Sequence, residues 1–553
     1  MKRIFCLALV ACMMLGLVAC ELNLDTLTSS SGTGEIANAN GTGSTASGTT
    51  SHIPPADTAE SPQQTQTPQQ TETEQEPTDP TQTTAPLDTT ASQPTTSNTP
   101  SIEPNKREFS VRSIVQTANA NSFVAERDGT VINNAVYQRN ETLQTVLGIQ
   151  INVEETVGDT NNNALYDEMK VLSGMPSYDL ITTASYKMVR LAVEGLLHDL
   201  ASQEFIELHQ DYYDDSFNEA LNVGGRQYLA TGKFSLAWYR YQIVCLYNRT
   251  LFEHVNLSNP METVLEQRWT MEEMMQCANK MYTDLNGNGE FDQDDAYGLF
   301  IFVGNSSSQT DGFMSAFGLR VVEKDSNGYF QMAEIDKRAW VDPINRLADL
   351  LSSSTGVWST NTLGNTAIEA KFAAGESGMI VYRMYVVETD NIAMLGRTKE
   401  GYGILPLPKA DLDQEDYYSF VTDQVLSYGI PNTVTGTDLD DAVIFFESFT
   451  AVSYMITTPA YYEKAITKRY VADELSCTML QIIDSNVVVD PVNVYYGTYF
   501  PFTTGSLRPA YDGSKSATAI LESTLYSGAF EGKMEQLNDT LQALDNELKK
   551  KGM

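Results

Sequence analysis

The stretch "DLNGNGEFDQDDAYG" at 284–298 carries oxygen-bearing side chains at intervals suited to a hard cation. Counting from Asp284, acidic or amide groups fall at positions 1, 3, 5, 9 and 12: Asp284, Asn286, Asn288, Asp292 and Asp295. Gly289 stands at position 6 and Glu290 at position 7. A twelve-residue calcium loop takes oxygens at such positions and a glycine at the sixth for its sharp turn. The spacing therefore predicts one structural Ca2+ among Asp284, Asn286, Asn288, Glu290, Asp292 and Asp295. Position 12 is an aspartate, shorter than the usual glutamate, which weakens bidentate ligation. The competing reading is a metal-free turn, for which Asn286-Gly287 and Asn288-Gly289 are well suited.

Other chemistries have less to build on. There is no Gly-x-Ser-x-Gly, no His-Glu-x-x-His, no P-loop and no Cys-x-x-Cys. The histidines are His52, His198, His209 and His254, and no two have the spacing of a helical metal pair. A glycosidase needs only two carboxylates, which an acid-rich chain readily supplies. Groups that would hold a polar ligand are easier to find. Arg383 and Asp423 are charges set in apolar runs, and such charges usually have a partner. Trp238, Tyr382, Tyr418 and Tyr496 are aromatic candidates for apolar contact with a ligand, with Tyr239, Tyr241, Tyr417 and Tyr495 beside them. Asn119 and Asn121 in "QTANANS", and Ser185 and Tyr186 in "TTASYK", are small polar residues in loops.

Those loops follow strand signals. "FSVRSIVQ" (109–116), "IQINVEET" (149–156) and "YDLITT" (178–183) read as strands, separated by helical patterns at 133–148 and near 163–173. This β-α-β-α-β order predicts a parallel sheet with helices on both faces. Ligands of such sheets bind beyond the carboxyl ends of the strands, where Asn119, Asn121, Ser185 and Tyr186 lie. The helix before the candidate calcium loop opens with a capping box, Thr270 and Glu273, and stripes Met271, Met274, Met275, Ala278 and Met281 along one face. "YGLFIFVG" after the loop reads as a strand, so the loop is not half of a paired EF-hand. Met534, Leu537, Leu541, Leu544 and Leu548 mark a last amphipathic helix, expected to pack on the second lobe defined below. Cys245, Cys277 and Cys477 are odd in number, without metal spacing, and predict buried free thiols.

In this order the segments resemble a family, the extracellular solute-binding proteins of bacterial ABC importers, in their sugar-type branch. "YDLITTASYKMVRLAVEGLLHDL" resembles the family's strand, ligand loop and helix ending in Leu-x-Asp-Leu. "FSLAWYRYQIVCLYNRTLFEH" (234–254) is similar to the first interdomain strand, and "KFAAGESGMIVYR" (371–383) to its Phe-x-x-Gly-x-x-x-Met pattern. "YGILPLPK" and "YYSFVTDQVLSYGIPNT" fit the later strand and the crossover back. The resemblance implies a type II periplasmic-binding-protein-like α/β fold: two lobes, each a mixed, mostly parallel sheet flanked by helices, joined by hinge strands. It implies lobe one at 107–232 with 428–462 and lobe two at 233–427 with 463–553, with the ligand between them. Asn119, Asn121, Ser185, Tyr186, Trp238, Tyr382, Arg383, Tyr418, Asp423 and Tyr496 are the expected ligand residues. The implied partners are a small solute, a sugar above all, and an ABC permease with its ATPase; no catalysis is implied.

The N-terminus carries an address. Lys2 and Arg3 precede an uncharged apolar run at 4–18 that is too short to span a membrane and ends in Leu17-Val18-Ala19-Cys20. It resembles a bacterial lipoprotein signal (1–19), which makes Cys20 the lipidated first residue; an ordinary signal with a chance cysteine is the alternative. Residues 21–105 have no Lys or Arg and eleven Asp or Glu among repeated Thr, Ser, Gln and Pro. With almost nothing apolar to bury, 20–106 is a lipidated cysteine and disordered tether. Taking away the −11 of this stretch and the +2 of the signal leaves −28 of the total −37 on 106–553. Such an acidic body argues against nucleic acid as a partner. The expectation is a monomeric lipoprotein on the outer face of the cell membrane of a Gram-positive type of cell. The alternatives are a polysaccharide-capture lipoprotein without a transporter and a tethered glycosidase.

Overall fold

The first strand, β1 (Glu108–Val115), has five consecutive buried residues at its carboxyl end, as a strand covered on both faces must. The computed structural model describes residues 108–550 apart from 159–162, 176, 304–307, 335, 361, 390–391, 393–400, 462–473, 496–514 and 526–527. Helix α1 (Val131–Leu147) follows, capped by Thr130, whose side chain accepts from the Asn133 N–H, and closed by Gly148 at φ 63°. Strand β2 (Gln150–Val157), helix α2 (Asn163–Ser173), the fully buried β3 (Leu180–Ala184) and helix α3 (Ser185–Val193) complete the alternation read from the sequence. After the short helix α4 (Leu236–Arg240), β4 (Ile243–Asn248) opens a second run. It contains α5 (Met271–Lys280), β5 (Tyr297–Phe302), α6 (Ser308–Ala316), β6 (Val322–Lys324), β7 (Phe330–Met332) and α7 (Lys337–Ser353). Then come β8 (Val357–Thr360), α8 (Asn365–Ala373), β9 (Ser377–Arg383) and β10 (Tyr402–Leu405). Strand β11 (Leu426–Gly429), α9 (Thr437–Pro459), α10 (Glu474–Ser485) and α11 (Ala529–Lys550) end the described chain.

Two larger sheets result. The first has the order β11-β3-β1-β2, with β1 parallel to β2 and β3, and β11 antiparallel to β3. The second has the order β10-β4-β9-β5-β8, with β5 parallel to β8 and β9, and β4 antiparallel to β9 and β10. Helices flank both, α1 against α9 on the first, and α5 and α8 on the second. These two mixed, mostly parallel sheets flanked by helices are the architecture that the resemblance implies, and the first holds the parallel β1, β2 and β3 that the element order predicts. Chain crossings between the sheets are stitched together: Ile243 N–H donates to Phe420 O at 2.9 Å and Thr422 N–H to Tyr241 O at 3.1 Å, while Gln242 and Val421 form an antiparallel bridge.

The last helix buries Met534, Leu537 and Leu541, the stripe its sequence announces. It meets β7 and Arg226. Asn538 accepts from Phe330 N–H at 3.1 Å and donates to Phe330 O at 2.7 Å, capping the edge of β7. Its Asp545 accepts from Arg226 at 3.0 Å, and that arginine also holds Asp199 at 3.0 Å. Cys245 and Cys277 are buried free thiols, as expected, and Cys477 is a half-buried one. No described helix is long and apolar enough to cross a membrane.

Candidate functional site

At the carboxyl end of β1 the chain makes a 3₁₀ turn, Thr117–Asn119. Asn119 is fully buried, and both polar atoms of its amide lack a partner among the described residues. An unpaired buried amide costs about 1–3 kcal/mol, so this one marks a place where a polar group is wanted. Two residues on, the exposed Asn121 takes the left-handed conformation at φ 65°, which asparagine tolerates better than most. Its N–H donates to Glu155 Oε1 at 3.2 Å, and Ser113 Oγ donates to Glu155 Oε2 at 3.1 Å. Burial pushes the Glu155 carboxyl above its ordinary value, against the pull of those hydrogen bonds and of Arg139.

Arg383 ends β9 with its guanidinium carbon 5.6 Å from the centroid of the Tyr241 ring, within cation–π range. Its Nε is buried and lacks a partner among the described residues. Tyr241 belongs to the first crossing and donates its hydroxyl to Gln116 Oε1 at 2.9 Å, at the end of β1. Tyr385 lies 5.8 Å from Tyr241 and 5.8 Å from Tyr382, so the ring under the arginine is one of a row of three tyrosines. Asp423 sits half-buried on the second crossing. Burial pushes its carboxyl up to about 7, opposed by the Arg383 charge. The Asn119 turn, Tyr241, Arg383 and Asp423 thus occupy the junction between the sheets, with α4 packed on both the 117–119 turn and the Met384–Glu388 turn.

Other expected residues are engaged in contacts within the protein. Trp238 has no exposed surface and meets Phe217 edge-on at 6.4 Å. Tyr382 is buried on the opposite side of β9 from Arg383, where its hydroxyl is bonded to the Glu369 carboxylate of α8. Successive strand residues point to opposite faces, so Tyr382 and Arg383 cannot share one. Ser185 and Tyr186 tie the start of α3 to the second crossing: Ser185 N–H and Oγ both donate to Val425 O at 2.9 Å, and Tyr186 N–H donates to Asp423 O at 3.2 Å. Tyr418 is half-buried beside Gly318, where an added Cβ would come within 3.1 Å of its ring. Tyr496 and Cys20 lie outside the described residues.

Other residues emerge only in three dimensions. Arg240 grips both oxygens of Glu388, at 2.9 and 3.0 Å, and donates to Ser122 Oγ at 3.2 Å. Tyr461 donates to the same Glu388 at 2.9 Å. Bidentate and partly buried, this cluster ties Ser122, Arg240, Glu388 and Tyr461 together at the junction. Arg240 carries the same signal as Arg383, a charge in an apolar run. Glu155, Gln116 and Tyr385 carry none.

The 284–295 loop is closed by Asx-type hydrogen bonds. Asp284 accepts from Gly287 N–H at 2.6 Å and Gly289 N–H at 2.9 Å; Asn286 accepts from Asn288 N–H at 3.0 Å and Asn288 from Glu290 N–H at 2.7 Å. The amide nitrogens of Asn286 and Asn288 donate to Asp292 at 3.1 and 2.8 Å. Asp295 is fully buried and accepts from Tyr282 Oη at 3.0 Å and Leu285 N–H at 3.2 Å. The donor types suit a hard cation, yet here the amides turn nitrogen toward Asp292. Among the described residues no group of three or more His, Cys, Asp or Glu is arranged to hold a metal ion.

Residues 145–434, more than half of the chain, match the model of the bacterial extracellular solute-binding proteins, and the chain belongs to that family. It is a family of binders rather than enzymes, so the glycosidase reading is set aside. No curated protein matches the sequence. Among solved structures, an ABC substrate-binding protein of Listeria monocytogenes in complex with cycloalternan is similar at 14% identity and TM-score 0.49, covering 79% of this chain and 100% of that one. The GacH receptor of Streptomyces glaucescens, solved unliganded and with acarbose, is similar at 14% identity and TM-score 0.46, covering 79% and 98%. A solute-binding protein of Thermotoga lettingae bound to α-D-tagatose has 14% identity and TM-score 0.49, covering 79% and 100%.

Proposed function

We propose that this protein captures a carbohydrate between its lobes and delivers it to an ABC permease and its ATPase. The observation that supports this reading is the link from Arg383, over the Tyr241 ring, through the Tyr241 hydroxyl to Gln116, where the turn carrying Asn119 begins. Among the described residues Asn119 is a desolvated amide without a partner, and Arg383 a guanidinium on a tyrosine face with a buried, unpartnered Nε. An amide offers donors and an acceptor, a guanidinium offers a planar fork of donors, and tyrosine faces offer apolar contact. Together they match a ring that alternates hydroxyls with C–H surface. The test is a thermal-shift and calorimetric screen with maltose, maltotetraose and α-D-tagatose beside a set of oligopeptides. A ligand at a hundred times its dissociation constant adds about 2.7 kcal/mol. Stabilisation by peptides alone would overturn the sugar assignment.

The same reading has Cys20 lipidated, the chain tethered as a monomer on the outer face of the membrane by 20–106, and lobe boundaries at 107–232 with 428–462 and 233–427 with 463–553. Cys20→Ala should leave the protein soluble or unprocessed; membrane partitioning equal to the parent's would refute the anchor. A structural Ca2+ in the 284–295 loop also belongs to this reading. It requires the Asn286 and Asn288 amides to present oxygen in place of nitrogen.

A further inference from the structure

The turn that carries Asn119 is closed by local bonds: Asn119 N–H to Gln116 O at 2.8 Å, Ala120 N–H to Thr117 O at 3.1 Å and Ser122 N–H to Asn119 O at 3.1 Å. Such bonds shape a turn without fixing where it sits. Its near end is tied at Gln116 by the Tyr241 hydroxyl. Its far end is tied at Ser122, whose carbonyl accepts from Arg139 at 3.2 Å and whose hydroxyl accepts from Arg240 at 3.2 Å. The tip, Asn121, is in the left-handed region and exposed, and its backbone is held from outside the turn through Glu155.

Glu155 is well placed to hold it. It stands on β2 directly opposite Ser113 of β1 in the parallel register, and Ser113 Oγ fixes its second oxygen. A carboxylate anchored by one oxygen and presenting the other is preorganised, and a charged acceptor makes a stronger bond to an N–H than a neutral one. We propose that Glu155 is a positioning residue of the ligand site: it holds the Asn121 backbone so that the turn presents the Asn119 amide to solute. This rests on the carbohydrate reading above. Glu155 itself is not assigned a contact with the sugar.

The experiment compares the parent with Glu155→Ala and Glu155→Gln in the full mature chain. The conservative Glu155→Gln variant keeps an oxygen for the Asn121 N–H and gains a nitrogen that can donate to the Ser113 hydroxyl, so it should preserve the turn. Amide exchange is read first, since it needs no solute. Glu155→Ala should lose protection in 117–122 while α1 and β3 keep theirs, and Glu155→Gln should match the parent. Calorimetry with maltotetraose follows: Glu155→Ala should weaken binding about five- to tenfold, the worth of one hydrogen bond, at an unchanged melting temperature. Unchanged protection in Glu155→Ala overturns the positioning role whatever the solute. So does Asn119→Ala losing affinity for maltotetraose while Glu155→Ala keeps it, and the carbohydrate reading then survives. If Asn119→Ala and Arg383→Ala both keep parental affinity, that reading fails and the role falls with it.

Discussion

Arg383 ends the central strand of one lobe with its guanidinium over the ring of Tyr241, and the Tyr241 hydroxyl reaches Gln116 at the end of β1 in the other. A side chain that joins the two sheets is thus also the platform on which the Arg383 guanidinium rests.

Removing either candidate should therefore weaken solute binding without unfolding the protein. Arg383→Ala and Asn119→Ala each take away a group in a desolvated junction, and such anchors cost about 2 kcal/mol or more. That corresponds to about thirtyfold in affinity. Calorimetry on each variant beside its unfolding midpoint gives the answer. A fall in midpoint matching the fall in affinity would make them core residues.

Trp238 and Tyr382 should behave in the opposite way. Both are buried, one against Phe217 and the other bonded to Glu369. Truncating a large core aromatic costs about 3–5 kcal/mol through lost burial and a residual cavity. Trp238→Ala and Tyr382→Ala should lower the denaturant midpoint sharply, with any loss of binding following from it. A stable Trp238→Ala variant with weakened solute binding would return that residue to the cleft.

Stability should depend on pH through Glu447. This buried carboxyl of α9 takes the hydroxyls of Tyr212 and Tyr213, the latter at 2.8 Å, and burial pushes it from 4.5 up to about 7. A carboxyl whose folded value is raised binds more protons folded than unfolded between those two values. Its contribution to stability is therefore present below about 4.5 and lost as pH rises toward 7. Glu447→Gln, whose amide can serve both tyrosines, should flatten the profile. The difference in unfolding free energy between parent and variant should shift by at most about 3 kcal/mol across that window. Parallel profiles would show that Glu447 does not titrate there.

If the 284–295 loop holds Ca2+, chelator should lower the melting temperature of the parent. Asp284→Ala combined with Asn288→Ala should abolish that sensitivity. A parent indifferent to chelator would leave the loop as the hydrogen-bonded turn seen here, which needs no ion to satisfy Asp284, Asn286 and Asn288.

Much of the fold was legible along the chain because its determinants are local. Alternation and apolar runs mark β1, β2 and β3; Thr130 and Thr270 cap their helices; Gly148 closes one by taking φ 63°. The order of these elements then leaves few topologies open. Charges stranded in apolar runs picked out Arg383 and Asp423, and the junction brings both together. What the chain alone did not decide was the direction in which each candidate points. Tyr382 and Arg383 are neighbours on one strand, so one had to turn away, and the pairing of Ile243 with Arg383 and of Val244 with Tyr382 assigns the faces. Trp238 and Tyr241 differ by less than a turn of chain, yet Trp238 packs on Phe217 while Tyr241 links Gln116 to Arg383. Glu155 became visible only when β2 was laid beside β1, because its role depends on Ser113 and Asn121, more than thirty positions away. Local rules set elements, since period and capping act within a turn or two. The candidate site draws on strand ends far apart in sequence, and register and burial, which only the packed chain possesses, decide which side chains meet there.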